Sequence, residues 1–471
     1  MTTSKELVFR QDDLDRLTWF LRGDDGREHG ALLLFGKATV ARDPWTTQQR
    51  EKYLCREIIE LAERDLIESS GDRLTFSNNA FVALLKRARA GRLVAGVAHN
   101  HGRGFGRFSA VDDEGEKGLL QLARNRNGPE SEIVSALICE ARLATARIWS
   151  QESSVQDVAC VSQVGRRFVV GRAPSVHPHN EALARQALAF GKSLNDTLGE
   201  IRIGIVGCGA TGSAVAMLLA RLGVGRLCLI DHDRVDVSNL NRLHGATMED
   251  AREGRLKVDV VARMVRSMGL GCEVVTHDAL VVEPSVRDAM KACDIVFGCT
   301  DDHQGRALLN RFAYFYLTPV FDLGMAISVG RDNPPSIQAL DGRLSVLIPG
   351  VTCLLCRSVI DVRRAATEAV RRADPARYRI LKAEAYVEGE GDPNPAVVTF
   401  TTELAAVAVN EMLHRLTGYK GTEEQTPHRT RLFHRMHDLR PGDRPRKDCA
   451  ICGTPETWGL GDVEPFLDII S

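Results

Sequence analysis

The sequence predicts an α/β protein in two units: an N-terminal α+β unit, then an open, doubly wound, Rossmann-like parallel sheet. Three observations lead there. Short apolar runs and helix-spaced stretches mix in the first third of the chain. From Glu181 onward helix and strand patterns alternate, as βαβ units do. A glycine-rich turn, Gly207-Cys208-Gly209-Ala210-Thr211-Gly212, follows the first strand of that alternation.

Taken in order, residues 30–40 (GALLLFGKATV) read as a buried strand. Residues 51–69 place Tyr53, Leu54, Ile58, Ile59, Leu61 and Ala62 at helical spacing, and 78–90 do likewise. Residues 92–98 (RLVAGVA) form a short strand that delivers His99 and His101 at its C-terminal end. The Gly, Arg and Asp content of 102–116 marks a loop. Residues 132–149 and 155–170 read as strands closing the unit. Two prolines in 173–180 (APSVHPHN) mark a linker. Helix 182–194 precedes strand 201–206, helix 213–222, strand 226–230, helix 255–268, strand 272–276, helix 284–292 and strand 295–299. A charged helical stretch spans 362–385 on either side of Asp374-Pro375, then a loop at 388–395 and an apolar helix at 397–416. The expected organisation is a first domain over 1–172, a linker over 173–180, a second domain over 181–453 and a tail over 454–471.

A length of 471 residues gives room for roughly two to four domains. Apolar residues make up 44% and charged residues 26%, an ordinary globular balance. Lys and Arg number 61 against 62 Asp and Glu, so neither nucleic acid nor an anionic membrane is an expected partner. The polar N-terminus lacks an apolar leader segment, and no apolar run reaches membrane-spanning length. Twelve cysteines without a leader speak against a disulfide framework and fit a reducing cytoplasm.

The first chemical constellation is His99-x-His101, then seven intervening residues, then Ser109-x-x-Asp112. On a strand end the two imidazoles point to one side and can share a metal. Asp112, brought back by the loop, supplies a third ligand, leaving zinc an open position for water. Ser109 is placed to hydrogen-bond that water or the tetrahedral intermediate. Glu28, just before strand 30–40, is the candidate general base, with Glu6 and Asp25 as competitors. This spacing resembles the JAMM (JAB/MPN) metalloproteases over about residues 1–170. Gly102 departs from the proline that many members carry after the second His.

The second constellation starts at the glycine turn, where Gly207, Gly209 and Gly212 let backbone N–H groups approach phosphate at a helix N-terminus. Asp231 ends the next strand, where a carboxylate binds ribose hydroxyls; that much suits NAD equally well. Arg242 and Lys257 supply fixed cations, and Asp301, after Thr300 at a later strand end, is a carboxylate for magnesium. Hydride transfer needs no such cationic set. The segments DHDRVDVSNLNRL, GRLKVD and CTDDHQGR resemble the ThiF/MoeB superfamily, the adenylating fold shared with ubiquitin-activating enzymes. That resemblance implies ATP-dependent adenylation of the C-terminal glycine of a ubiquitin-like or sulfur-carrier protein. It also implies that Asp231 binds the ribose, Asn239, Arg242 and Lys257 the phosphates, and Asp301 magnesium. Arg185 matches an arginine that family dimers insert into the partner's site, which implies a homodimer.

Cys353-x-x-Cys356 and Cys449-x-x-Cys452 form a four-thiolate set for a second, structural zinc. No cysteine lies between Cys356 and Cys449, where relatives that form a thioester carry one. Direct transfer of the acyl-adenylate is the preferred expectation. The alternatives are a Ser or Thr nucleophile, with Thr399, Thr401 and Thr402 as candidates although Thr at a helix start is commonly a cap, or a cysteine elsewhere in the chain.

Together these readings describe a cytoplasmic bacterial-type enzyme that trims or deconjugates a ubiquitin-like protein and then adenylates it, with any conjugating enzyme encoded separately. The fusion is expected to act as a tether that raises the local concentration of trimmed product. The competing readings are adenylation of a short peptide in antibiotic maturation, a JAMM-fold docking module without protease activity and, more distantly, an NAD-dependent dehydrogenase.

Overall fold

The computed structural model describes residues 3–71, 73–101, 106–150, 154–172, 180–330, 336–383, 395–421, 426–442, 444–464 and 466–467. The first unit opens with β1 (Ser4–Arg10), α1 (Gln11–Phe20), β2 (Gly30–Val40), β3 (Arg50–Glu60), β4 (Leu66–Ser69) and β5 (Leu74–Phe76). It continues with α2 (Asn78–Gly91), β6 (Val94–Asn100), α3 (Ala110–Asn127), β7 (Ile133–Cys139) and β8 (Arg142–Trp149), and closes with β9 (Val155–Asp157), β10 (Cys160–Val164) and β11 (Val169–Arg172). Nine of these strands form one sheet in the order β11-β10-β1-β3-β2-β6-β7-β8-β9. Along β2, Leu33 and Phe35 join the layer under α1, while Leu32 and Leu34 join the layer under α2 and α3. A strand covered on both faces reads as one continuous apolar run, as residues 30–40 do.

The same burial overturns the helix expected at 51–69. That stretch is β3 followed by β4, with Tyr53, Leu54 and Cys55 all fully buried. A central strand between two apolar layers has no polar alternation, so its spacing imitates a helix. The loop expected at 102–116 is also corrected, although residues 102–105 lie outside the described residues. Helix α3 begins at Ala110, because Ser109 and Asp112 form a capping box at its N-terminus.

The second unit begins with α4 (Ala184–Phe190), α5 (Lys192–Glu200), β12 (Arg202–Val206), α6 (Ala210–Arg221), β13 (Arg226–Ile230), α7 (Met248–Glu253) and α8 (Lys257–Ser267). Next come β14 (Glu273–His277), α9 (Arg287–Ala292), β15 (Ile295–Gly298), α10 (His303–Phe315), β16 (Val320–Val329) and β17 (Ile337–Leu347). The last elements are α11 (Val362–Ala373), α12 (Pro375–Ala383), α13 (Val398–Thr417), β18 (His428–Leu432) and β19 (His437–Leu439). Its sheet runs β14-β13-β12-β15-β16-β17-β18-β19. The neighbours from β14 to β16 are parallel, as the alternating pattern predicts. Beyond β16 the sheet turns antiparallel, so the expected all-parallel sheet is a mixed one. The helix expected at 182–194 is broken at Gly191, whose φ of 81° ends α4 and starts α5. Of the expected linker only residue 180, and of the loop at 388–395 only residue 395, is among the described residues. Among those residues no helix is long and apolar enough to cross a membrane.

The two units meet along a seam of buried charge. Asp43, fully buried just after β2, accepts from Arg50 at 2.8 Å and from Arg202, the first residue of β12, at 2.7 Å. Glu6 receives both Nη2 contacts of Arg50 at 2.6 and 2.7 Å, and Arg172 pairs with Asp294 at 2.6 Å. Lys52 donates to the Cys293 carbonyl at 3.0 Å, and Arg50 to that of Ala292 at 3.1 Å. The segment after Cys452 crosses the same seam. Gly459 and Gly461 donate to the carbonyls of Tyr314 and Phe315, and Asp462 to that of Lys37. A Cβ on Gly36 would lie 2.0 Å from the Gly459 carbonyl oxygen, so only glycine admits this crossing.

Burial would raise the Glu6 carboxyl, but Arg50, Arg172 and Lys52 hold it at about 2, below its ordinary 4.5. A depressed carboxyl contributes stability above its unfolded pKa and loses it as pH falls through the folded value. The unfolding free energy is therefore expected to drop by about 3 kcal/mol through this group between about pH 5 and 2. Chemical denaturation across that range tests this, and Glu6→Gln should remove that part of the slope.

Candidate functional site

Strand β6 carries His99 and His101 to the sheet end where Gly30 pairs with His99. The first turn of α3 faces them. The His99 Nε2 to His101 Nε2 distance is 3.2 Å, His99 Nε2 to Asp112 Oδ1 is 3.1 Å, and His101 Nε2 to Asp112 Oδ2 is 3.2 Å. Each of these distances, the last two to separate oxygens of Asp112, is close to the ligand spacing of about 3.3 Å around a tetrahedral ion with bonds of about 2.0–2.1 Å. Burial would raise the Asp112 carboxyl, but hydrogen bonds from His101 and His99 hold it far below the ordinary carboxylate range. The donor set of two imidazoles and one carboxylate therefore fits zinc. Ser109 is at the site, with its Oγ 2.7 Å from Asp112 Oδ2, so its hydroxyl donates to the carboxylate and orients it. Glu28 is buried with Oε1 3.9 Å from His101 Nε2. Its two competitors lie elsewhere: Glu6 in the seam, and Asp25 bonded to His29 at 2.9 Å.

The second site is a cleft of about 420 Å³ at the carboxyl ends of β12, β13 and β15. Gly207, at φ 89°, starts the turn between β12 and α6. A Cβ on Gly212 would lie 1.8 Å from the Gly207 carbonyl oxygen, so the turn closes only with glycine. Gly209 caps α6 without a side chain, leaving the first helical N–H groups open to the cleft. Asp231 accepts from the Cys208 N–H at 2.6 Å and the Asp233 N–H at 2.8 Å, which ties the ribose-side carboxylate to the turn. Burial raises its carboxyl, against the pull of those N–H groups and Lys257. Asn239, Arg242, Lys257 and Asp301 all line the same cavity. Lys257 rests on Asp233 at 2.7 Å, and Arg242 donates to the Ser238 carbonyl. The Asn239 Oδ1 accepts from the Asp236 N–H at 3.1 Å, capping a short turn. Arg185 sits exposed on α4, away from this cavity. Together these groups form a glycine-rich backbone cradle, two cations and a carboxylate, a donor set that fits a nucleoside triphosphate with its metal.

Two lining cations were not singled out from the sequence. Arg306, on α10, reaches the Asp301 carbonyl at 3.3 Å, and its place five residues after Asp301 was a usable signal. Arg372, on α11, pairs with Asp302 at 3.2 Å across a long loop and carries no local signature. Thr401 lines the cavity but donates to the Val398 carbonyl, and Thr402 Oγ1 lies 3.0 Å from His244 Nε2.

The four thiols of Cys353, Cys356, Cys449 and Cys452 converge. The Sγ distances of 3.7 Å for Cys353–Cys449 and 3.6 Å for Cys356–Cys452 approach the spacing of about 3.8 Å expected around zinc with Zn–S bonds of about 2.3 Å. This set fits a structural zinc.

The ThiF family profile matches residues 183–451. The "Adenylyltransferase and sulfurtransferase MOCS3" of Mus musculus is 38% identical over 108 residues, 22% of this chain and 23% of the relative. The "Ubiquitin-like modifier-activating enzyme 5" of Gallus gallus is 24% identical over 193 residues, 38% of this chain and 45% of the relative. The chain thus spans less than half the length of these curated relatives. Among solved structures, E. coli MccB with ATP aligns at a TM-score of 0.43 and 18% identity, covering 58% of this chain and 75% of that one.

Arg147, on β8, holds the turn that carries Ser109 and Asp112. It pairs with Asp113 at 2.6 Å and Glu116 at 2.8 Å, and its guanidinium lies 3.8 Å from the centre of the Phe108 ring. Arg147→Ala should therefore weaken zinc binding at the two histidines and Asp112 by about 10- to 100-fold, as loss of an outer support does. Competition with a graded series of chelators measures this, and unchanged affinity would show that the capping box suffices.

Proposed function

Because the chain belongs to the ThiF family, we propose that its cleft adenylates the C-terminal carboxylate of a ubiquitin-like or sulfur-carrier protein. The observation that carries this reading is the convergence on one cavity of a glycine turn, a helix N-terminus, Arg242, Lys257 and Asp301. The N–H groups of the turn and of α6 bind the phosphates of ATP, with Asn239 beside them. Asp231 takes the ribose hydroxyls. The carboxylate oxygen of the partner protein bonds to the α-phosphorus as the bond to pyrophosphate breaks, and Arg242 and Lys257 offset the charge that builds up. Magnesium at Asp301 supplies further charge neutralisation. Arg185 acts on the cleft of a second copy in a homodimer, since it is exposed outside its own.

The first unit is assigned as a JAMM-type zinc peptidase or isopeptidase that trims or releases the same class of protein. The triangle of His99, His101 and Asp112 supports this. Zinc held there supplies an activated water and polarises the scissile carbonyl. Ser109 fixes Asp112, and Glu28 accepts the proton from water and returns it to the leaving amine. The lack of a cysteine between Cys356 and Cys449 supports direct transfer of the acyl-adenylate to an external nucleophile.

ATP–pyrophosphate exchange driven by a mature ubiquitin-like protein tests the reading. Asp301→Ala should lower exchange by about 100- to 1,000-fold, whereas His101→Ala should leave it intact. A tailed precursor should drive exchange in the wild type and not in His101→Ala. Exchange that survives Asp301→Ala undiminished would contradict the assigned cleft.

A further inference from the structure

The two candidate centres lie on opposite sides of the seam. Strand β2 starts beside the histidines, where Gly30 pairs with His99, and its other end leads into the seam. There the Arg42 N–H donates to Asp288 at 3.0 Å, and Asp43 holds Arg202. On the other side, the seam meets the amino ends of β12 and β15. Arg202 opens β12, and Ala292, Cys293 and Asp294 directly precede β15. Helix α13 repeats the polarity. Its amino end borders the cleft through Thr401, while the carbonyls of Arg415 and Leu416 at its far end receive Arg167 of the first unit at 3.1 Å each. The cleft lies at the carboxyl ends of the same strands.

One centre thus lies beyond the start of β2 and the other beyond the end of β12, with the seam between them. Among the described residues the seam offers no free hinge, because its ion pairs and the Gly459–Asp462 crossing bind both units at once.

We propose that the two centres do not pass a bound substrate between them, and that each docks its own copy of the partner protein. The inference rests on the functions assigned above. At the first centre water adds to the scissile carbonyl, the C–N bond breaks, and a free carboxylate and an amine leave into solution. At the second, a carboxylate from the dissolved pool bonds to the α-phosphorus of ATP and pyrophosphate departs. The product of the hydrolysis is thus a freely diffusing substrate of the adenylation, and the fusion does not act as a tether between them.

A chase experiment with the full-length enzyme tests this. The probe is a ubiquitin-like protein ending in Gly-Gly, supplied as an isotope-labelled precursor with a C-terminal extension. ATP and a tenfold excess of unlabelled mature protein are present, and labelled acyl-adenylate is counted during the early turnovers of cleavage. The expected result is about tenfold suppression of labelled adenylate. Label that resists dilution, within one chain or across a dimer, would overturn the proposal. Two controls keep the failures distinct. If the wild type neither cleaves the precursor nor exchanges pyrophosphate with the mature protein, the functional reading falls and the proposal with it. If both activities are present, only the dilution decides.

Discussion

The constraint on which the architecture depends is a set of buried charge pairs that bridges the two units. Asp43 is fully buried between Arg50 of its own unit and Arg202 of the other. Arg172 belongs to the first sheet and finds Asp294, just before β15, in the second unit. A buried ion pair gives little net stability against an apolar pair of the same shape, but breaking one strands a charge at a cost of about 3–5 kcal/mol. The seam therefore specifies one arrangement of the two sheets and penalises others. That arrangement directs the carboxyl ends of β12, β13 and β15, and with them the cleft, away from the first unit.

The two centres show different preparations for chemistry. The two histidines and Asp112 are positioned by strand β6 on one side and a capping box on the other. The cleft instead holds its cations on carboxylates: Lys257 on Asp233, Arg372 on Asp302, and Arg306 3.5 Å from Asp322. A triphosphate entering such a cleft offers these cations denser negative charge than their resting partners do. Positive charge is kept in place without open repulsion, which is the preorganisation that phosphoryl chemistry requires.

Short-range chemistry was legible in the sequence, and long-range chemistry was not. The glycine turn, the His99-x-His101 pair and the two Cys-x-x-Cys pairs each place ligands within one turn or strand end, so their spacing alone carries the geometry. Helix α2 and strands β2, β6, β12, β13 and β15 were readable for the same reason. Strand β3 was misread because burial on both faces erased its alternation, and the start of α3 because glycines and arginines masked the capping box. The antiparallel half of the second sheet has no equivalent of the βαβ rhythm to announce it. Seam pairs such as Asp43–Arg202 join residues far apart in the chain, and no local pattern encodes them.

The central claim, that the cleft joins a protein carboxylate to the α-phosphate of ATP, is tested most directly with ATP labelled at its α-phosphorus. Incubation with a ubiquitin-like protein ending in Gly-Gly should put acid-stable label on that protein's C-terminus, one AMP per chain, with pyrophosphate released in equal amount. Transfer of label from the γ-phosphate instead, or no label on the protein while the nucleotide is bound, would contradict the account.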